Sequence, residues 1–183
     1  MKTNPGIRVP GAFNGFELGL RAILGQQVTV KAATTIACRV VEAFGDPIVT
    51  PFAELNRLTP ISAKFASASV DDIARHGILG SRAKTIIALA EALTSGSLRL
   101  DAVVPAKPDD AIRRLTDLPG IGQWTAHYIA MRALRWPDAF PKEDIAVRNN
   151  LGGATAKEAE LLSQPWRPWR SYAVMHVWGM AKA

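Results

Sequence analysis

The sequence predicts an all-α protein, and three observations predict it. Apolar residues recur at the three- and four-residue spacing of helix faces along most of the 183-residue chain. Clean apolar–polar alternation, the mark of a half-buried strand, is scarce. Several apolar stripes are preceded by residues that cap helix starts and followed by glycine. Hydrophobic residues make up 48% of the chain, enough to build a core. One domain over 1–183 is therefore expected, compact or split into two small lobes sharing that core.

The elements follow in order. Phe16, Leu20, Ile23 and Leu24 form a first short stripe. Gly25 and the polar pair Gln26–Gln27 separate it from a longer one, Ala33, Ile36, Ala37, Val40, Val41 and Phe44, with Gly45 as its stop. Ser69 with Asp72 resembles a capping box opening a short helix before Gly77, and Thr155 with Glu158 repeats the pattern. Ser81 is placed to cap the segment carrying Ala83, Ile86, Ile87 and Ala90, which Gly96 ends. Helical segments are predicted over 109–116 and 123–134. In the last helix Trp169, Tyr172, Ala173, His176, Val177 and Met180 line up as a buried face. Trp178 sits off that face, about 120° around the helix from Tyr172, where it packs a second core or lines a cleft. Segments 46–51, 101–108 and 137–143 are connectors rich in proline and small polar residues.

Composition narrows the function classes. The formal charge of +6 favours an anionic partner, and its lysines and arginines are spread along the chain, so a basic face must be assembled by folding. The single cysteine, Cys38, excludes an internal disulfide, a cysteine-rich zinc site and an iron–sulfur cluster held by four cysteines. The three histidines, His76, His127 and His176, lack metal-ligand spacing. No apolar run approaches the roughly 18–20 residues of a membrane span. Met1 to Pro10 lacks the cationic-then-apolar layout of a secretory signal, so a cytosolic protein is expected.

The most informative segment is Leu118-Pro119-Gly120-Ile121-Gly122, between two helical stretches. Two glycines two apart let the backbone turn tightly and approach another molecule closely. The helix after them opens with unpaired N–H groups and the positive end of its dipole, which suits a phosphate oxygen. Taken alone, the pair is more simply an ordinary tight turn between packed helices. The whole run 118–126, Leu-Pro-Gly-Ile-Gly-Gln-Trp-Thr-Ala, resembles the helix-hairpin-helix signature of the DNA glycosylase superfamily, with the hairpin motif over about 109–135. Three further blocks in the same order resemble the 3-methyladenine DNA glycosylase II branch: Phe16 to Val30, Arg82-Ala83, and Trp166 to Trp178. The resemblance covers the catalytic part of that branch, without the small sheet domain that longer members carry ahead of the block at Phe16.

The resemblance implies two helical lobes with an active cleft between them and the hairpin gripping duplex DNA through Gly120, Gly122, Gln123 and Thr125. It implies a monovalent cation held by backbone carbonyls, assigned to Leu118 and Ile121, with no other cofactor. The superfamily's catalytic aspartate maps onto Asp144, 20 residues beyond Trp124. Asp144 also suits the N-cap of a helix starting Ile145-Ala-Val-Arg, and both roles are compatible; Glu143 is adjacent and chemically able. Strand-cutting members carry a lysine where Trp124 stands, so a monofunctional enzyme is implied, and Lys142 does not occupy that position. Trp124, Tyr128 and Trp178 match base-pocket positions, although spacing alone reads Trp124 and Tyr128 as core residues. Electron-rich walls favour cationic alkylated purines. Members put a wedge residue, often apolar, where this chain has Gln27, and Gly179 stands where a bulkier aromatic occurs, which suggests a roomier pocket. The implied partner is double-stranded DNA carrying alkylated bases, bound by a monomer in the cytosol or nucleoid. A non-catalytic helix-hairpin-helix module is the main alternative; a helix-turn-helix factor is disfavoured because 123–134 is too apolar to read base edges.

Overall fold

The computed structural model describes residues 5–101 and 108–180. Among them are ten α-helices and one 3-10 turn, and the only pairing of extended backbone is an isolated bridge between Pro47 and Arg57. The helices are α1 (Gly15–Leu24), α2 (Val30–Phe44), α3 (Ser62–Ala66), α4 (Val70–Ala74), α5 (Gly80–Thr94), α6 (Pro108–Thr116), α7 (Gln123–Arg132), α8 (Ile145–Asn150), α9 (Ala156–Leu162) and α10 (Arg170–Met180). Most of the 101–108 connector lies outside the described residues.

α1 is the hub of the first group. Asn14 caps it by accepting the Glu17 N–H at 3.0 Å. Phe16, Leu18, Leu20, Ile23 and Leu24 are buried around most of its circumference, as a core helix requires. It packs on α2, α5 and α7, while α3 and α4 close over α5. Phe65 anchors that end, its ring 5.5 Å from Phe16 and 4.8 Å from Phe44. The second group is α8, α9 and α10. One apolar core runs through both, from Ile23 and Leu89 past Ile129 to Val147 and Val174.

The connector before α8 is strapped to the start of α10. Ser171 donates its hydroxyl to the carbonyls of Trp136 (2.8 Å) and Ala139 (2.9 Å), and its N–H to Pro137 (2.9 Å). Arg170, 5% exposed, grips both oxygens of buried Asp138 at 2.8 and 3.1 Å and also reaches Glu160 at 2.9 Å. Arg167 adds a contact of 2.8 Å to the same aspartate.

This strap corrects the expected face of the last helix. Trp169 and Met180 are exposed, at 54% and 61%, and the buried face is Arg170, Ser171, Ala173, Val174 and Val177. Two polar residues hold that face because Asp138, Glu160 and the connector carbonyls satisfy them. Ser81 does not cap α5, which starts at Gly80 with Leu79 at the N-cap and no capping side chain. α7 ends at Arg132 rather than 134, and the chain then turns through Arg135 in a left-handed conformation (φ 55°). α2 keeps its predicted stripe, but only Val40 is fully buried, since the start of the helix faces a cleft. Gly45 ends α2 in extended backbone instead of a left-handed turn. Both capping boxes form as read.

Asp138→Ala should leave the Arg170 guanidinium buried with half its partners and destabilise the fold by about 3–5 kcal/mol. Urea unfolding measures this, and a loss below about 1 kcal/mol would contradict the account. A second expectation concerns His127 on α7, whose Nδ1 accepts the Phe140 N–H at 3.3 Å. Burial, then the nearby Arg170 charge, lowers its pKa from 6.5 to about 4. The unfolded chain therefore binds this proton first. The contribution is fully present above about pH 6.5 and is lost as pH falls towards 4, up to about 3 kcal/mol. In His127→Gln, the fall in stability between pH 7 and pH 4.5 should be smaller than in the parent.

Candidate functional site

The hairpin joins α6 to α7 through a tight turn. Ile121 N–H donates to the Leu118 carbonyl at 3.2 Å, with Pro119 and Gly120 in the middle. Gly120 has φ +80°, as the third residue of a type II turn requires. A Cβ there would also lie 2.1 Å from the Thr85 hydroxyl of α5, so the chain itself demands glycine. Gly122 is different. It is extended (φ −88°, ψ 176°), and a Cβ would meet nothing within 4 Å. No contact within the described residues explains a glycine there, and its open side faces outward. Gly122 is the N-cap of α7 without a capping side chain, and the Gln123, Trp124 and Thr125 amides find no partner among the described residues. Gly120, Gly122 and Gln123 are exposed. Thr125 is 2% exposed, so only its amide N–H is oriented with the open start of the helix.

The Thr125 hydroxyl is taken by Gln26, a residue of the 16–30 block to which the sequence reading gave no role. Gln26 Nε2 donates to it and to the Gly120 carbonyl, each at 3.1 Å. Arg82 on α5 donates to the Gln26 carbonyl. Gln27, next in the α1–α2 turn, is exposed with φ +54°. A non-glycine residue in that region costs of order 1 kcal/mol or more and persists only where its neighbours enforce it.

A cleft of about 330 Å³ separates this turn and the start of α2 from α7. Val28, Ala33 and Ala37 form one wall, Trp124 and Tyr128 the other, with Arg21 at its edge. Trp124 and Tyr128, four residues apart on α7, stack with centroids 5.3 Å apart and planes at 11°. Arg132 lies 5.5 Å from the Tyr128 ring centroid and donates to its hydroxyl at 2.6 Å. The same guanidinium holds the Pro10 carbonyl at 3.0 Å. Tyr128 is thus fixed at its ring by Trp124 and at its hydroxyl by Arg132, and both aromatic rings line the cleft. A larger cavity of about 510 Å³, between Phe13 and Arg99, shares none of these residues and contains no such grouping.

Asp144 stands beside Trp124. It is 9% exposed and is the N-cap of α8. Its Oδ1 accepts the Val147 N–H at 2.9 Å and the Trp178 indole N–H at 3.1 Å. Its Oδ2 accepts the Trp124 indole N–H at 2.7 Å. All three partners can only donate, which suits the carboxylate. Oδ2 has a single donor and is the oxygen nearer the cleft wall formed by Trp124. Trp178 is joined to the site through Asp144, whose carboxylate links its indole to that of Trp124, while Tyr128 meets Trp124 by stacking. Glu143 is half-buried with Oε2 buried and unpartnered, whereas both Asp144 oxygens are engaged. Lys142 lies in the connector, two residues before Asp144.

No cluster of three His, Cys, Asp or Glu among the described residues suits a metal. At the hairpin, the Leu118 and Gly120 carbonyls each accept one hydrogen bond, leaving one lone pair apiece. The Ile121 carbonyl accepts none within the described residues.

Residues 20–164 match the family model for HhH-GPD superfamily base excision DNA repair proteins. The chain is 35% identical over 174 residues to DNA-3-methyladenine glycosylase 2 of Escherichia coli, covering 95% of this chain and 60% of that protein. It is 40% identical over 178 residues to a Mycobacterium tuberculosis protein named as a probable bifunctional transcriptional activator/DNA repair enzyme AlkA, covering 95% and 35%. The chain thus spans less than two thirds of either relative. Its fold is similar to that of Schizosaccharomyces pombe 3-methyladenine DNA glycosylase in complex with abasic DNA, with TM-score 0.75, 22% identity, and 97% and 85% of the two chains covered. The sequence match spans both the hairpin and the Asp144 loop, and the chain belongs to the HhH-GPD superfamily of base excision DNA repair proteins.

Proposed function

We propose that the chain is a monofunctional DNA glycosylase that flips alkylated purines from duplex DNA and hydrolyses their bond to the sugar. The observation that carries the reading is the Asp144 carboxylate, fixed by two indole N–H groups beside a cleft walled by Trp124. Breaking a base–sugar bond develops positive charge on the sugar ring. A carboxylate held beside that carbon stabilises the charge most strongly where DNA excludes water. Water then adds at C1′, its proton passing to the carboxylate, while the bond's electron pair leaves with the base. A purine methylated at N3 or N7 already carries positive charge and departs neutral, so no strong general acid is needed. His127, held neutral near physiological pH, is consistent with that.

The aromatic face that Trp124 and Tyr128 turn to the cleft supplies stacking and a cation–π attraction of roughly 0.5–2 kcal/mol. Support for an alkylated purine as substrate comes from the relatives' names as well as from this face. With Trp124 at the hairpin position, no lysine there can form a Schiff base, and the product is an abasic site. The open side of Gly122 and the free amides of α7 receive a phosphate oxygen, a contact that reads no sequence. A monovalent cation held by the Leu118 and Ile121 carbonyls would add positive charge for the same phosphate. Gln27, exposed between cleft residues Gly25 and Val28, fills the place of the flipped base. The chain acts as a monomer on DNA in the cytosol or nucleoid, and no helix among its described residues is long and apolar enough to cross a membrane.

Incubation with methylated duplex DNA tests this. Release of 3-methyladenine and 7-methylguanine is expected, with strand breaks appearing only after alkali. Asp144→Asn should bind DNA but release base about 10²–10³-fold more slowly, roughly 3–4 kcal/mol of transition-state stabilisation. Breaks without alkali, uracil released faster than 3-methyladenine, or near-normal turnover by the variant would each contradict the reading.

A further inference from the structure

We propose that Gln26 is a positioning residue that ties the base-flipping turn to the DNA-gripping hairpin, making grip and intrusion one rigid movement. The inference rests on the functional reading above, because it takes Gln27 as the intruding residue. Three observations meet here. The Gln26 carboxamide uses both donor hydrogens on the hairpin, one on the Gly120 carbonyl and one on the Thr125 hydroxyl, each at 3.1 Å. The main-chain carbonyl of Gln26 is held in turn by Arg82 of α5. α5 also touches the hairpin directly, since Gly120 leaves no room for a Cβ against Thr85. The α1–α2 turn is therefore locked to the hairpin by the Gln26 side chain, across 94 and 99 residues of sequence, and to α5 by Arg82.

The strained neighbour gives the lock its purpose. Gln27 is held at φ +54° and projects into solvent, a conformation an untethered five-residue turn would relax. Bonds fixing both ends of the residue before it supply the constraint. A phosphate drawn to the start of α7 then places Gln27 against the base stack at a set distance, with no reordering of the turn at the moment of intrusion. Glutamine suits the task because it brings two donor hydrogens to the hairpin; a glutamate would set an oxygen against the Gly120 carbonyl.

The test separates flipping from chemistry and from binding. Gln26→Ala should keep its thermal midpoint near the parent's and its affinity for lesion-free duplex within about twofold. Base release from duplex should fall about tenfold or more, and return to the parent level when the lesion lies in single-stranded DNA or opposite an abasic site, where extrusion costs least. Thr125→Val, which removes one acceptor, should show a smaller loss with the same recovery. The fluorescence of 2-aminopurine beside the lesion reads base extrusion even in an Asp144→Asn background. It should rise with the parent and hardly rise with Gln26→Ala. Parent-like release from duplex by Gln26→Ala, or an equal loss on all substrates, would overturn the tie. A parent that binds DNA with no fluorescence rise would overturn the flipping reading together with it.

Discussion

Hydrogen bonds from three separate helices converge on the Asp144 carboxylate, and the second half of the fold is arranged so that they can. Val147 donates from α8, Trp124 from α7 and Trp178 from α10. The Val147 bond is the local N-cap of α8, but the indole of Trp178 reaches the carboxylate only while the connector before α8 is held in register with the start of α10. The Asp138–Arg170–Glu160 network and the three bonds of Ser171 provide that register. A buried ion pair is a costly way to gain stability, and its usual worth is in specifying one arrangement. Here the arrangement it specifies is the distance between Trp178 and the carboxylate it holds.

The first half of the fold meets a different demand. The hairpin, the α1–α2 turn and the start of α2 surround a cleft whose walls are aromatic on α7 and small and aliphatic on α2. Trp124 belongs to both halves: its ring faces the cleft and its N–H holds Oδ2. Stacking on the substrate and orientation of the reactive oxygen therefore share one side chain. Tyr128 shares that wall, held by its stack on Trp124 and by the bond from Arg132 to its hydroxyl.

Much of this was legible in the sequence, for physical reasons that also mark the limits. Helical spacing placed α1, α2 and α5, because local periodicity reflects which face is buried. Short-range chemistry was equally clear: the two capping boxes, the N-cap role of Asp144 and the turn at Gly120 all involve residues within four positions of each other. What failed depends on partners far away in the chain. The face of α10 was misjudged because Arg170 and Ser171 look like surface residues until Asp138 and the connector carbonyls are beside them. Ser81 was read as a cap, yet α5 begins one residue earlier with its first turn uncapped. Gln26 falls inside the 16–30 block that carries the resemblance, but its role was hidden because its partners lie beyond residue 119. How Trp124, Tyr128 and Trp178 are joined was equally hidden, because only the fold reveals that Trp124 stacks on Tyr128 and meets Trp178 through Asp144.

The two-indole hold on Asp144 is most directly tested by the indole N–H resonances of the five tryptophans, assigned with Trp124→Phe and Trp178→Phe. The Trp124 and Trp178 protons should lie downfield of the other three, as charge-assisted donors to a carboxylate do. Both should move upfield together in Asp144→Asn, with Trp136, Trp166 and Trp169 unmoved. If neither resonance responds to that substitution, the carboxylate is not held between the two indoles and the account of the site is wrong.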